Sequence, residues 1–192
     1  MRALSLAWVP LVASAISVVL SVASIYISTR QPEVLMLLPD VVRVAGGHAS
    51  GSSYLYLQPA FVSTGTNERI EVIEDMTLTL EPVDGSAPPT TLDWKEQVAL
   101  VDDGGNVSYR YQADAVPLLI GPRSAGNPIA LFEAPDGWFV EAGTYAATLT
   151  ADRVVGSDPL VGRFHITIPP GDLDVLDDVP ERYIAYPVSA SD

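Results

Sequence analysis

From Ala3 to Ile27 the chain carries no charged side chain, and beyond Pro32 that pattern gives way to short apolar runs broken by Gly, Pro, Asp and Asn. Such a run divides the chain before any other feature is weighed, because it has to be shielded from water along its whole length. As a helix it is about 37 Å long, enough to cross a hydrocarbon core of about 30 Å with some tilt. A cleaved signal peptide would be cut after Ser21-Val22-Ala23, but the apolar stretch before that point is long for a leader and its basic region holds only Arg2. A helix buried in a soluble core is the third reading. The reading adopted is a retained single-pass transmembrane anchor over residues 1–30, a β-domain over residues 31–168 and an acidic C-terminal tail over residues 169–192.

Small residues inside the anchor fall on one seam. Ala3, Ala7, Pro10, Ser14, Ser17, Ser21, Ser24 and Ser28 are spaced alternately four and three apart, a period of 3.5 that implies left-handed crossing with a second helix. Lipid gives helices no hydrophobic reason to associate, so close backbone approach over small and hydroxyl side chains supplies it instead. Ala7, Ser14, Ser17, Ser21, Ser24 and Ser28 are therefore the expected helix–helix interface. The competing reading of the hydroxyls is back-bonding to carbonyls of their own helix. The partners this implies are the lipid bilayer and another transmembrane helix, from a second copy or from a subunit of a membrane complex. Arg2 and the α-amine favour a cytoplasmic N-terminus, which puts the β-domain on the extracytoplasmic side of the cell membrane.

Arg2 and Arg30 flank the span, so residues 31–192 hold eight basic and 24 acidic side chains, a net charge of −16. That surface repels phosphate backbones and excludes nucleic acid as an expected partner. There are no cysteines, which removes disulfides, thiol nucleophiles and thiolate metal sites.

Downstream of the anchor the punctuation is that of a β-protein. Glu33 to Leu38, Val41 to Ala45, Tyr54 to Val62, Arg69 to Leu80, Thr90 to Val101, Val107 to Gln112, Thr144 to Asp152 and Val161 to Ile168 read as strands. Leu118 to Ile120 and Ile129 to Glu133, bounded by prolines, read as edge strands at best. Gly46 to Ser53 reads as a mobile loop, too polar and glycine-rich to pack. Along the longest strand Met76, Leu78 and Leu80 alternate in phase with Ile70 and Val72, whereas Ile73 is out of phase, so a bulge or two-sided burial is expected there. Many short strands at regular intervals indicate a β-sandwich.

The last strand pair carries a resemblance. Glu141-Ala142-Gly143-Thr144-Tyr145 followed by alternating Ala147, Leu149 and Ala151, with Phe164, Ile166 and Ile168 on the next strand, resembles the late strands of immunoglobulin-like and fibronectin-like sandwiches. The resemblance implies a mainly β, antiparallel immunoglobulin-like sandwich and a tyrosine corner in which Tyr145 bonds back to main chain. Ala147 stands where antibody domains have cysteine, so the disulfide form is excluded. The resemblance implies architecture and no activity.

Catalytic signatures are missing. No G-x-S-x-G, Walker loop, H-E-x-x-H or dinucleotide fingerprint occurs, and the expectation is a non-catalytic protein without cofactor or metal. His48 lies in the Gly/Ser loop with no evident group to orient it, and His165 shares a strand face with Arg163 and Thr167. Asp102 to Asn106 reads as a polar hairpin tip rather than a calcium loop. Asp172, Asp174, Asp177, Asp178 and Glu181 read as a solvated tail. Two strands carry tyrosines two apart, Tyr54 with Tyr56 and Tyr109 with Tyr111, and Tyr183 and Tyr186 follow in the tail. Aromatics so spaced either cover the edge of the core or form a partner or ligand surface. The functional expectation is an accessory or interaction subunit of a larger membrane assembly, and the alternative is a tethered binding module for envelope polysaccharide or a soluble ligand.

Overall fold

Strict alternation of apolar and polar residues is realised as inward and outward faces. In strand β11 (Gly143–Arg153) Tyr145, Ala147, Leu149 and Ala151 are buried, and in β12 (Leu160–Ile168) Phe164, Ile166 and Ile168 are buried. His165 lies on the other face of β12, half-buried beside exposed Arg163 and Thr167. The computed structural model describes residues 8–29, 33–48, 50–64, 69–102, 107–156, 158–178 and 183–190. Helix α1 (Trp8–Thr29) precedes β1 (Val34–Leu37), β2 (Val41–Gly47), β3 (Ser52–Leu57), β4 (Ala60–Ser63), β5 (Glu71–Pro82), β6 (Thr90–Asp102) and β7 (Val107–Asp114). Then come β8 (Leu118–Ile120), β9 (Ala125–Gly126), β10 (Ile129–Glu133), β11, β12, helix α2 (Pro170–Asp178), β13 (Tyr183–Pro187) and β14 (Ser189–Ala190).

The chain is mainly β and antiparallel, in a sandwich-like arrangement. The large sheet runs β13-β2-β3-β10-β6-β5-β11-β12-β14, with β7 on β6 and β8 on β5, and a small sheet runs β1-β4-β9. The two ends of the large sheet, β13 and β14, are neighbours in sequence with only Val188 between them, so the sheet nearly closes on itself. The Val188 amide donates to the Asp40 carbonyl at 2.9 Å, fastening that join. Inside lie the fully buried Phe61, Phe132 and Phe164, with Leu78, Leu80, Leu92 and Leu149 around them.

Four expectations change. Residues 170–178 and 183–190 are no solvated tail: Leu176 of α2 and Tyr186 of β13 are core residues, β13 pairs with β2, and β14 pairs with β12. Closing the sheet requires strands at both ends, and this segment supplies them. The segment read as a mobile loop is a tight hairpin, with β2 running to Gly47, β3 starting at Ser52, and Gly46, Gly47, Ser52 and Ser53 buried. Ser50 Oγ ties it together, accepting from the Gly47 amide and lying within hydrogen-bond reach of the Gly47 and Ser52 carbonyls, which share its one proton. Strand β10 is interior, between β3 and β6, because Pro128 and Pro135 lie outside the five paired residues and leave both ladders intact. The longest strand is β6, of 13 residues, against 12 in β5.

The bulge expected near Ile73 is present. Pairing of β11 with β5 shifts between Asp152 and Arg153, so that Asp152 faces Asp75 while Arg153 faces Ile73, and Glu74 is skipped. The extra residue changes phase, which buries Ile73 as well as Met76, Leu78 and Leu80, and leaves Ile70 half exposed. The same phase change carries Glu71 fully into the interior. Its carboxylate is held by Arg153 at Oε2 and by the amides of Val72, Val155 and Gly156 at Oε1. Gly156 lies against the Arg153 guanidinium so closely that a Cβ there would collide with it.

Candidate interaction surfaces

Three regions present chemistry to the outside: the N-terminal helix, an aromatic cluster on the outer face of the large sheet, and a cavity beside Tyr145. The helix is 22 residues, Trp8–Thr29, with no acidic residue in its first turn and no basic residue in its last, about 33 Å at 1.5 Å per residue. All side chains from Val12 to Tyr26 are exposed. Val12, Ile16, Val18, Val19, Leu20, Val22 and Ile25 leave half or more of their surface uncovered, on the faces away from the serine seam. Among the described residues no helix is long and apolar enough to cross a membrane, the described side chains of α1 amounting to 15 residues.

Ser14, Ser17, Ser21 and Ser24 lie within that exposed stretch. Ser17 Oγ donates to the Ala13 carbonyl at 3.0 Å and Ser21 Oγ to the Ser17 carbonyl at 2.8 Å. Back-bonding of this kind leaves small size, rather than a free hydroxyl, as what these two positions offer a neighbour. The Ser28 side chain and Ala7 lie outside the described residues.

Tyrosines meet in a different grouping from the one the sequence spacing suggests. Tyr56 of β3 stacks on Tyr109 of β7, centroids 4.3 Å apart and planes 9° from parallel. Tyr109 in turn meets Tyr183 of β13 at 5.1 Å and a tilt of 50°, and the Arg43 guanidinium of β2 lies 5.9 Å from the Tyr183 ring. One member of each tyrosine pair thus joins a single cluster across four strands. Tyr54 lies beside Gly46, where an added Cβ would come within 3.0 Å of its ring, and exposed Tyr111 donates to Asp114 Oδ1 at 3.0 Å. Burial, with the neighbouring Tyr109, Glu96 and Tyr54, pushes the Tyr56 hydroxyl up to about 12. Burial also raises Tyr109, and the Arg43 charge opposes that rise.

The cavity, of about 210 Å³, opens between the β2–β3 hairpin, the β5–β6 connection and the loop ahead of β11. Its wall includes Tyr145 in the tyrosine-corner arrangement: the hydroxyl donates to the Glu141 carbonyl at 3.1 Å and accepts from the Glu141 amide at 3.0 Å. Trp138 and Phe139, held by the turn in which the Trp138 amide donates to the Pro135 carbonyl, line the same space. Phe139 stacks on His48 at 4.2 Å and 22°. Asp177 of α2 reaches under the hairpin, accepting from the His48 amide at 2.7 Å and lying 3.5 Å from its Nδ1. A Cβ at Gly47 would strike that carboxylate, so the glycine leaves room for it beneath the hairpin.

His48 therefore has an orienting carboxylate that the sequence did not disclose, while Ser50 and Ser53 are engaged with main chain. Among the described residues no three His, Asp or Glu side chains converge in a way that would hold a metal ion. The acidic run is dispersed, with Asp177 at His48, Asp172 near the Tyr186 hydroxyl, and Glu181 outside the described residues. The hairpin tip 103–106 is also outside them. A tryptophan and a phenylalanine in succession after Asp136-Gly137, in a loop, were the one sequence sign of the cavity. No protein-family model, curated protein or solved structure matches this chain.

Proposed function

We propose that this protein is a single-pass membrane protein in which helix α1 anchors an immunoglobulin-like β-domain that serves as a non-catalytic accessory or interaction subunit of a larger membrane assembly. The observation that carries the reading is the uncovered state of α1. A largely apolar helix is stable where lipid or other helices surround it, and the described side chains from Val12 to Tyr26 are all exposed. The small residues on the seam give that helix a face for a second transmembrane helix, and the tyrosine corner at Tyr145 supports the immunoglobulin-like assignment of the domain. Arg2 favours an extracytoplasmic β-domain.

Alkaline carbonate washing of membranes that hold the full chain tests the anchor. The chain stays with the membrane pellet, and Val19→Arg with Val22→Arg releases it, because each arginine at the centre of a span costs about 2.5–3.5 kcal/mol. Recovery of the unaltered chain in the wash refutes the anchor. A second reading, a tethered module that binds envelope polysaccharide or a soluble ligand, draws on the stacked Tyr56–Tyr109–Tyr183 cluster with Arg43 beside it, since stacked aromatics present planar faces to sugars and proteins alike.

A further inference from the structure

We propose that the cavity bounded by Trp138, Phe139, Tyr145 and Glu141 binds an organic ammonium ion. Three aromatic side chains contribute to one wall system of about 210 Å³, below the roughly 300 Å³ at which pockets for drug-sized ligands begin. The Tyr145 hydroxyl is taken up by the Glu141 main chain, so what Tyr145 offers a ligand is its ring. Aromatic faces carry negative electrostatic potential and attract cations, alkylated ammonium ions above all, because these have little hydration to lose.

Charge around the cavity points the same way. Its lining includes Glu141, whose side chain is exposed, and no lysine or arginine, and among the described residues Glu141 enters no ion pair. The one lining imidazole, His48, has Nδ1 3.5 Å from the Asp177 carboxylate. Burial raises the Tyr145 hydroxyl, the main-chain hydrogen bond from Glu141 opposes that rise, and the negative charges of Glu141 and Asp84 add to it. A cation entering here finds an excess of negative charge, in a domain whose net charge is strongly negative. The ammonium group has two sources, a free small amine such as choline or the alkylated lysine of a partner protein.

The test is titration of the full chain in non-ionic detergent at constant ionic strength, read by heat of binding and by tryptophan fluorescence. Choline, its neutral isostere 3,3-dimethylbutan-1-ol, and a short peptide with a single trimethyl-lysine are compared. Choline or the peptide saturates, the neutral isostere binds roughly tenfold more weakly, and whichever cation binds more tightly identifies the source. Glu141→Gln, whose exposed side chain makes no bond that holds the fold, weakens cation binding several-fold and leaves the isostere unchanged. Trp138→Phe retains much of the binding and Trp138→Ala loses it, with circular dichroism checking that both are folded. Absence of saturation by both cations, equal binding of the isostere, or unaltered affinity in Glu141→Gln overturns the proposal.

Discussion

Replacing Arg153 with methionine removes the one side chain that, among the described residues, bonds the Glu71 carboxylate, and leaves that group with no solvent in reach. Glu71 is 0% exposed and Arg153 13% exposed at the side chain. After the change Oε1 still accepts from the amides of Val72 and Val155, both at 3.1 Å, and of Gly156 at 3.4 Å, whereas Oε2 loses its donors, including Arg153 Nε at 2.9 Å. Breaking one side of a buried ion pair costs about 3–5 kcal/mol, against a total domain stability of about 5–15 kcal/mol. Arg153→Met is therefore expected to remove roughly a fifth or more of the stability. Glu71→Gln costs less, about 1.5–3 kcal/mol, because the amide oxygen keeps the main-chain donors and Arg153 can turn toward solvent.

The double variant separates this account from simple loss of packing. Once Glu71 is neutral, no charge is left stranded by Arg153→Met, so the two costs overlap by at least about 1 kcal/mol. Urea unfolding of the full chain in non-ionic detergent, followed by tryptophan fluorescence through buried Trp94, supplies the three differences. The dependence on urea stays constant if the unfolded state is unaffected. Exposed Arg163→Met is the reference, expected within about 0.5 kcal/mol of the parent. Costs that add without overlap, or an Arg153→Met variant no less stable than the reference, refute the reasoning.

Tyr145→Phe removes a hydroxyl that serves Glu141 as both donor and acceptor, and its expected cost is about 1 kcal/mol in the same unfolding assay. Alkaline pH destabilises the fold. Unfolded tyrosine ionises near about 10, whereas Tyr56 holds its proton to about 12 in the folded protein. Between those values the unfolded state binds fewer protons, so stability is intact below the first and is lost as pH rises through the second. Tyr109, Tyr145 and Tyr186, all raised mainly by burial, act in the same direction. Urea midpoints across this range fall, and fall less steeply in Tyr56→Phe. Ser17, Ser21 and Ser24 exchanged together for Leu keep the chain in the membrane but release it from its partner in crosslinking. Val18, Val22 and Ile25 exchanged for Leu leave assembly intact, and equal assembly of both triples moves the binding-module reading to first place. Deleting residues 183–192 removes both closing strands and buried Tyr186, and should abolish the cooperative urea transition.

Local pattern carried a definite part of this protein. The uncharged run, the alternation of Met76, Leu78 and Leu80, the inward sets of β11 and β12, and the tyrosine ahead of Ala147 all follow from side-chain period and nearest neighbours. Even the bulge beside Ile73 was legible, because a phase conflict within one strand is itself a local signal. Other features depend on partners far away in sequence. Glu71 reads as a solvent residue until Arg153, 82 positions later, and two further amides close around it. The grouping of Tyr56, Tyr109 and Tyr183 depends on which strands lie side by side, and spacing two apart pointed to other pairs. The C-terminal segment looks like an acidic tail because its few apolar residues, Leu176 and Tyr186 among them, have meaning only against the core they close. Periodicity determines which face of an element is apolar. Only the tertiary structure decides what that face meets, since burying a charge or closing a sheet requires groups that strand pairing brings together from opposite ends of the chain.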